Sequence, residues 1–284
     1  MHQAGDKYTY EFIFVNDGSK DTSMEVLRDL AHNDEKVRVL GLSRNFGHQA
    51  AVSAGLDIAE GDAVIIMDAD LQDPPQVCLE LLQKWEEGFE VVYAQRRTRK
   101  DSFFKKLTAD IYYRMLSSLS SVDIPRNTGD FRLVDKKVVA VVRNMKEYHR
   151  FLRGMFSFAG FRQTAVQFDR HARHSGKSEY TFKKLMRLAQ DGIFGFSDVP
   201  LKLASRLGFF VSILSVVGVL YALIVKLFFT VTVPGWTMIT VAIFFMGGVQ
   251  LVMLGLIGEY IGRIHDEVRH RPVYIVDEAI NSGR

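Results

Sequence analysis

Asp68-Ala69-Asp70-Leu71-Gln72-Asp73 sets two carboxylates one residue apart, with an amide oxygen two residues beyond. Hard oxygen donors at that spacing suit Mg²⁺ or Mn²⁺, cations that commonly bridge a protein to a substrate diphosphate. Asp-x-Asp alone is weak evidence, because surface turns use aspartate freely. Here the pair follows the apolar run Val64-Ile65-Ile66-Met67 and precedes Pro74-Pro75, the setting of a strand end. A second acid, Asp17, stands in Asn16-Asp17-Gly18-Ser19, again behind an apolar run, and a third, Asp130, follows a glycine in Asn127-Thr128-Gly129-Asp130-Phe131-Arg132-Leu133. Arg170, Arg173 and Lys177 make residues 170–178 a basic run, beside His171 and His174, which fit a solvated surface. His48 opens a helical pattern, where it would either bind phosphate or cap the helix.

These residues need elements to hold them. The apolar patterns predict strands over 11–15, 37–43, 63–67 and 91–94, and helices over 23–32, 48–59 and 75–87. Thr22 with Glu25 makes a capping box, and Gly61 and Gly88 stand where helices stop. Strand–helix alternation implies an α/β fold with a mainly parallel sheet. In such a sheet ligands bind at the carboxyl ends of the strands, which is where Asp17 and the Asp68–Asp70 pair fall. Cys78, the single cysteine, lies on an apolar helical face with Leu81, Leu82 and Trp85, as a core thiol would in a reducing compartment.

The remainder of the 284-residue chain has a different character. Residues 208–233 carry one charge, Lys226, and residues 235–258 carry none. A helix needs about 20 apolar residues to cross a bilayer core, and both runs suffice. Thr232, Pro234 and Gly235 make a short turn between them, so the pair reads as a hairpin whose two ends emerge on one side. Those flanks hold Lys202, Arg206, Arg263, Arg269, His270 and Arg271, while the turn is uncharged. Basic flanks stay cytoplasmic, which puts the N-terminal domain there too. Residues 181–196 mix Lys183, Lys184 and Arg187 with Phe182, Leu185, Met186 and Phe194, as a helix lying in the headgroup region does. Gly258 and Gly262 permit close helix contact. The expected organisation is a catalytic domain over 1–180, an interfacial helix and linker over 181–206, two membrane helices over 207–262 and a cytoplasmic tail over 263–284. A formal net charge of +3 with no basic and aromatic stripe argues against nucleic acid. Residues 1–10 are polar and do not form a secretory leader.

Val15-Asn16-Asp17-Gly18-Ser19, Leu42-Ser43-Arg44-Asn45-Phe46-Gly47-His48 and Met67-Asp68-Ala69-Asp70-Leu71-Gln72-Asp73-Pro74 resemble the family-two glycosyltransferases of GT-A fold. With Asn127–Leu133 and the hairpin, the likeness narrows to the polyprenyl-phosphate glycosyltransferases, which include bactoprenol glucosyltransferases and dolichol-phosphate mannose synthases. It runs from about residue 10 to about residue 265. The resemblance implies inverting transfer of a hexose from a nucleotide sugar, UDP-glucose first among the candidates, to polyprenyl phosphate. UDP-N-acetylhexosamine, UDP-galactose and GDP-mannose stand as alternative donors. The product would serve cell-envelope glycan modification, such as that of lipopolysaccharide, at the inner membrane.

The same resemblance implies site roles. Asp17 meets the nucleobase, Asp68 contacts the donor, and Asp70 with Gln72, beside Asp68, holds the metal. Asp130 is the acid beside the acceptor and the catalytic base. Arg44 lies beside the nucleotide, and Arg96 or Arg97 meets phosphate. Arg132, Arg170, Arg173, Lys177 and Ser178 hold the acceptor phosphate, with Glu179 standing where the family often has lysine. A homo-oligomer, a tetramer, is implied as well. Family members begin with a further strand and a Pro-x-Tyr-Asn-Glu-like segment, so the sheet is expected to be N-terminally incomplete. Two other functions compete. A polysaccharide synthase of the same superfamily would carry Gln-x-x-Arg-Trp, yet neither Trp85 nor Trp236 follows an arginine. A non-catalytic scaffold would not need Asp68, Asp70, Gln72 and Asp130.

Overall fold

The computed structural model describes residues 7–70, 72–97, 128–169, 199–228 and 235–282. The basic loop with Arg170, Arg173, Lys177 and Ser178, the interfacial segment 181–196 and the turn at Thr232 and Pro234 lie outside the described residues.

The strands follow the apolar runs. β1 (Phe12–Asn16) pairs in parallel with β2 (Val37–Leu42), whose six residues are all buried. β3 (Ala63–Ile66), β4 (Val91–Arg96), β5 (Thr128–Asp135) and β6 (Gln163–Phe168) form a second sheet in the order β3-β5-β4-β6. β7 (Val276–Ile280) joins the first sheet beside β2. The expected mainly parallel sheet is corrected to two mixed ones. β1–β2 and β4–β6 are parallel, while β2–β7, β3–β5 and β4–β5 are antiparallel. The physical reason is β5, a buried strand that enters between β3 and β4 from the opposite direction. Thr128, Phe131, Leu133 and Val134 are buried along it.

Helices cover these sheets. α1 (Ser23–Asn33) packs on β2 through Ala31, Met24 and Leu27, and α2 (His48–Ile58) sets Ala54 against Leu40 and Leu42. α3 (Val77–Glu86) buries Val77 and Leu81 against Val92, Ala94, Phe131, Leu133, Val166 and Phe168. Cys78 packs at the edge of this cluster, and burial pushes its thiol pKa up. The capping box at Thr22 does not form. Thr22 makes no side-chain cap, and Asp21 Oδ1 instead accepts from Ser23 N at 3.1 Å. Gly88 does end α3, at φ +92, a region a side chain would strain. α4 (Lys136–Asn144) has a true cap: Asp135 accepts from Lys137 N at 2.8 Å and from the Trp85 indole at 2.8 Å. α5 (Leu152–Phe158) buries Leu152, Met155 and Phe156.

The chain divides into two compact units. One runs to residue 195 and takes in His270–Arg284; the other spans 196–269. Of the residues expected to trail as a tail, 270–284 therefore belong to the first unit and 263–269 to the second. The second unit holds α6 (Val199–Phe228) and α7 (Trp236–Val268), each long and apolar enough to cross a membrane. Their large apolar side chains face outward, Phe209, Tyr221, Phe228, Leu251 and Val252 among them. An apolar surface of this extent needs a non-aqueous cover. Among the described residues a Cβ at Gly258 or Gly262 would meet nothing within 4 Å.

Candidate active site

β1 ends at Asn16, and the chain turns at once. Asn16 Oδ1 accepts from Ser19 N at 2.8 Å. Gly18 turns at φ +64, and a Cβ there would lie 2.4 Å from the Arg44 carbonyl carbon, so only glycine lets the 16–19 turn meet the 44–47 loop. Asp17 joins the two. Its Oδ1 accepts from Phe46 N at 2.7 Å, its Oδ2 from Gly47 N at 2.9 Å, and its carbonyl from Asn45 Nδ2 at 3.1 Å. The residue expected at the nucleobase is thus also the brace of the loop that starts α2. Arg44 lies over the Phe46 ring at 4.1 Å from its centroid, at the exposed side of that loop.

α2 is pinned at both ends. At its carboxyl end Arg143 donates to Leu56 O (2.8 Å from Nε) and to Ala59 O. At its amino end Gln49 Oε1 accepts from Leu152 N at 2.9 Å, which couples the starts of α2 and α5. Gly47 is the N-cap, so His48 does not cap the helix and its ring is directed elsewhere. Its Nε2 lies 3.1 Å from Asp130 Oδ2 and 3.8 Å from Asp68 Oδ1. The antiparallel pairing of β3 with β5 explains this meeting. Ile66 faces Arg132, so the same register continued by two residues sets Asp68 across from Asp130.

Asp130 is therefore a strand residue, the third of β5, and not the acid of a free turn. Its side chain is 11% exposed, against 38% for Asp68. Arg153, one residue into α5, grips it with Nε to Oδ1 at 2.8 Å and Nη2 to Oδ2 at 3.1 Å. Burial alone would raise the Asp130 pKa. The Arg153 charge and the His48 hydrogen bond outweigh it and hold the carboxyl far below the usual carboxylate range. The hydrogen bond to Asp130 raises His48 in turn, against its own desolvation. Neither partnership was visible in the sequence. His48 stood out only as a helix start, and Arg153 gave no signal within Phe151-Leu152-Arg153-Gly154.

Asp68 and Asp70 are half-buried on one side of the turn and Ala69 is exposed on the other. Asp70 Oδ1 accepts from Gln72 N at 3.1 Å, which ties the two residues into one turn. Among the described residues no group of three or more His, Cys, Asp or Glu could hold a metal by itself. Two reachable carboxylates with an amide fit a cation that takes its remaining oxygens from a diphosphate. Arg96 and Arg97 end differently: a Cβ on Gly129 would lie 3.6 Å from Arg96 Nη2, whereas Arg97 is exposed and 3.9 Å from Asp169. Arg132 is only 4% exposed, stacked on Phe156 and donating to Gly129 O at 3.0 Å. Burial lowers it to about 10, which still leaves it cationic at neutral pH. It braces β5 from within.

Strand-end carboxylates and arginines meet here, and comparison with known proteins gives the family. Residues 1–143 match glycosyl transferase family 2. The chain belongs to that family. Residues 199–264 match the GtrB C-terminal hairpin, which with α6 and α7 associates the transferase with a membrane. An uncharacterized glycosyltransferase of Bacillus subtilis (strain 168), YkcC, is 50% identical over 277 residues, 96% of this chain and 85% of that protein. The bactoprenol glucosyl transferase of Shigella phage SfV is 41% identical over 270 residues, 95% of this transferase and 88% of the phage protein. A prophage bactoprenol glucosyl transferase homolog of Escherichia coli (strain K12) is 37% identical over 270 residues, with the same coverage.

Proposed function

We propose that this glycosyltransferase moves glucose from UDP-glucose to a polyprenyl phosphate of the undecaprenyl type, with inversion at the anomeric carbon. The observation that carries the reading is the approach of Asp68 and Asp130 to one imidazole, His48, at one end of the β3–β5 pair. Donor and acceptor carboxylates so placed bring both substrates within reach of one bond-forming point.

Asp17 and Arg44 hold the nucleoside end of the donor, and Arg96 takes the phosphate role in preference to Arg97. Asp68, Asp70 and Gln72 would hold Mg²⁺ or Mn²⁺, which neutralises the diphosphate as it leaves. An acceptor phosphate oxygen forms the bond to the anomeric carbon while the bond to the UDP oxygen breaks, and UDP departs with the electron pair. A phosphate monoester has a second pKa of about 6, so the acceptor is already anionic at neutral pH and needs little base catalysis. Arg170, Arg173, Lys177 and Ser178 are assigned to the acceptor phosphate, countering repulsion between two anionic substrates. The hairpin sits in the inner membrane with the catalytic domain on the cytoplasmic side, supported by its basic flanks. The copies assemble as a homo-oligomer, a tetramer, and the product feeds cell-envelope glycan modification such as that of lipopolysaccharide.

The test is a transfer assay with purified full-length protein, Mn²⁺, polyprenyl phosphate and UDP-glucose labelled in the sugar. Label should move to the lipid with release of UDP. Label reaching only water, or a sugar hydroxyl acceptor, would refute the acceptor assignment.

A further inference from the structure

We propose that Arg153 is a positioning residue for the transfer: it holds Asp130 as a fixed, oriented anion, so that Asp130 places its neighbours rather than removing a proton. The inference rests on the assignment of Asp130 to the acceptor side of the site.

The geometry is that of a two-pronged guanidinium–carboxylate pair. Both Asp130 oxygens are engaged, Oδ1 at 2.8 Å and Oδ2 at 3.1 Å, and His48 Nε2 shares Oδ2. The two side chains are 18% and 11% exposed, so water competes little for the contact. A fork of this kind fixes the plane of a carboxylate as well as its charge, which a single ammonium does not do. Arg153 is itself well placed. It follows Leu152, whose backbone N–H is held by Gln49 of α2, and α5 is anchored below by buried Met155 and Phe156. The clamp therefore ties β5, α2 and α5 together at one point, with the His48 ring set between Asp130 and Asp68. The depressed pKa of Asp130 agrees with this arrangement. A carboxylate so stabilised is a poor proton acceptor, and an acceptor phosphate that is already anionic does not require one.

Steady-state kinetics of Arg153→Gln, Asp130→Asn, the double variant and Arg153→Lys, in the full-length protein, test the idea. If Arg153 acts through Asp130, the two losses do not multiply. We expect Arg153→Gln and Asp130→Asn each to lower kcat on the order of 100-fold with little change in either KM, and the double variant to match Asp130→Asn alone. Arg153→Lys should recover about 10-fold of the loss by restoring charge without the fork. Arg153→Gln leaves a buried carboxylate uncompensated and can fail to fold. The comparison of Asp130→Asn with the double variant, in which both charges are gone, then carries the test. Losses that multiply, or an Arg153→Gln effect confined to the acceptor KM, would mean that Arg153 touches substrate directly and would overturn the inference. An inactive Asp130→Asn beside a fully active Arg153→Gln would overturn it too, leaving the active-site assignment intact. An Asp130→Asn variant with full kcat would overturn both.

Discussion

Arg28 and Glu278, 250 positions apart, are joined by two hydrogen bonds, Nε to Oε1 at 2.9 Å and Nη2 to Oε2 at 2.6 Å. They fasten α1 to β7, the strand that follows the second membrane-length helix. The fastening continues nearby. Tyr274 donates to Asp57 Oδ2 at 2.7 Å, and Asn281 Nδ2 donates to the carbonyls of Ala31 and Val37. The ion pair itself is largely exposed and screened by water, so Glu278→Ala should change the melting temperature little. Ending the chain after Pro272 is different, because it strips the ladder from β2 and leaves a buried strand with an open edge. That truncation should lower the melting temperature in detergent by about 5 °C or more. An unchanged melting temperature would show that β7 is dispensable.

The Asp68–Asp70 turn should be needed for metal-dependent donor binding. Asp70→Ala should lower kcat on the order of 100-fold. It should also weaken Mn²⁺ binding in the presence of UDP, read by electron paramagnetic resonance. The fold should persist, since Asp70 is half-exposed and accepts from the turn amide of Gln72. A variant that still binds Mn²⁺ with UDP and transfers sugar at the original rate would remove Asp70 from the metal set.

Two glycines of the Asp17 region should behave differently. Gly18→Ala combines φ +64 with a Cβ 2.4 Å from backbone, so it should cost about 2 kcal/mol or more and raise the KM for the nucleotide sugar. Gly47→Ala, at φ +100 with nothing within 4 Å, meets only the backbone term of about 1–3 kcal/mol and no clash. Thermal denaturation of the two variants side by side checks the order; Gly47→Ala as the more damaging change would contradict it.

Asp130 should leave a mark on acid stability. Its folded pKa lies far below the ordinary value of about 3.9. The ionised form is therefore favoured by folding, and that contribution is full above about pH 4 and declines as pH falls further. The melting-temperature gap between the natural protein and Asp130→Asn should be widest near pH 5, where His48, raised by Asp130, is also protonated, and narrow toward pH 3. A gap independent of pH over that range would show that the carboxylate gains nothing from Arg153 and His48.

Much of the fold was legible because its signals are local. The runs at Phe12–Val15, Val37–Leu42, Ala63–Ile66 and Val91–Ala94 carry their own periodicity, and the structure moves their ends by only a residue or two. The two membrane-length helices announce themselves by length and composition alone. The Asp68–Asp70 pair was found because a strand end followed by oxygen donors is a short-range pattern.

What only the tertiary structure decided is everything that depends on strand direction and partner. An isolated stretch such as Thr128–Asp135 does not say that it will run antiparallel between β3 and β4, yet that insertion is what carries Asp130 across from Asp68. Val276–Ile280 looks like the end of a tail until β2 supplies its hydrogen bonds. Arg153 is one arginine among many by sequence, and it becomes special only where the starts of α2 and α5 converge on a buried carboxylate. Local periodicity is written in neighbouring residues; pairing is set by which distant surfaces can bury apolar area and satisfy charges at the same time.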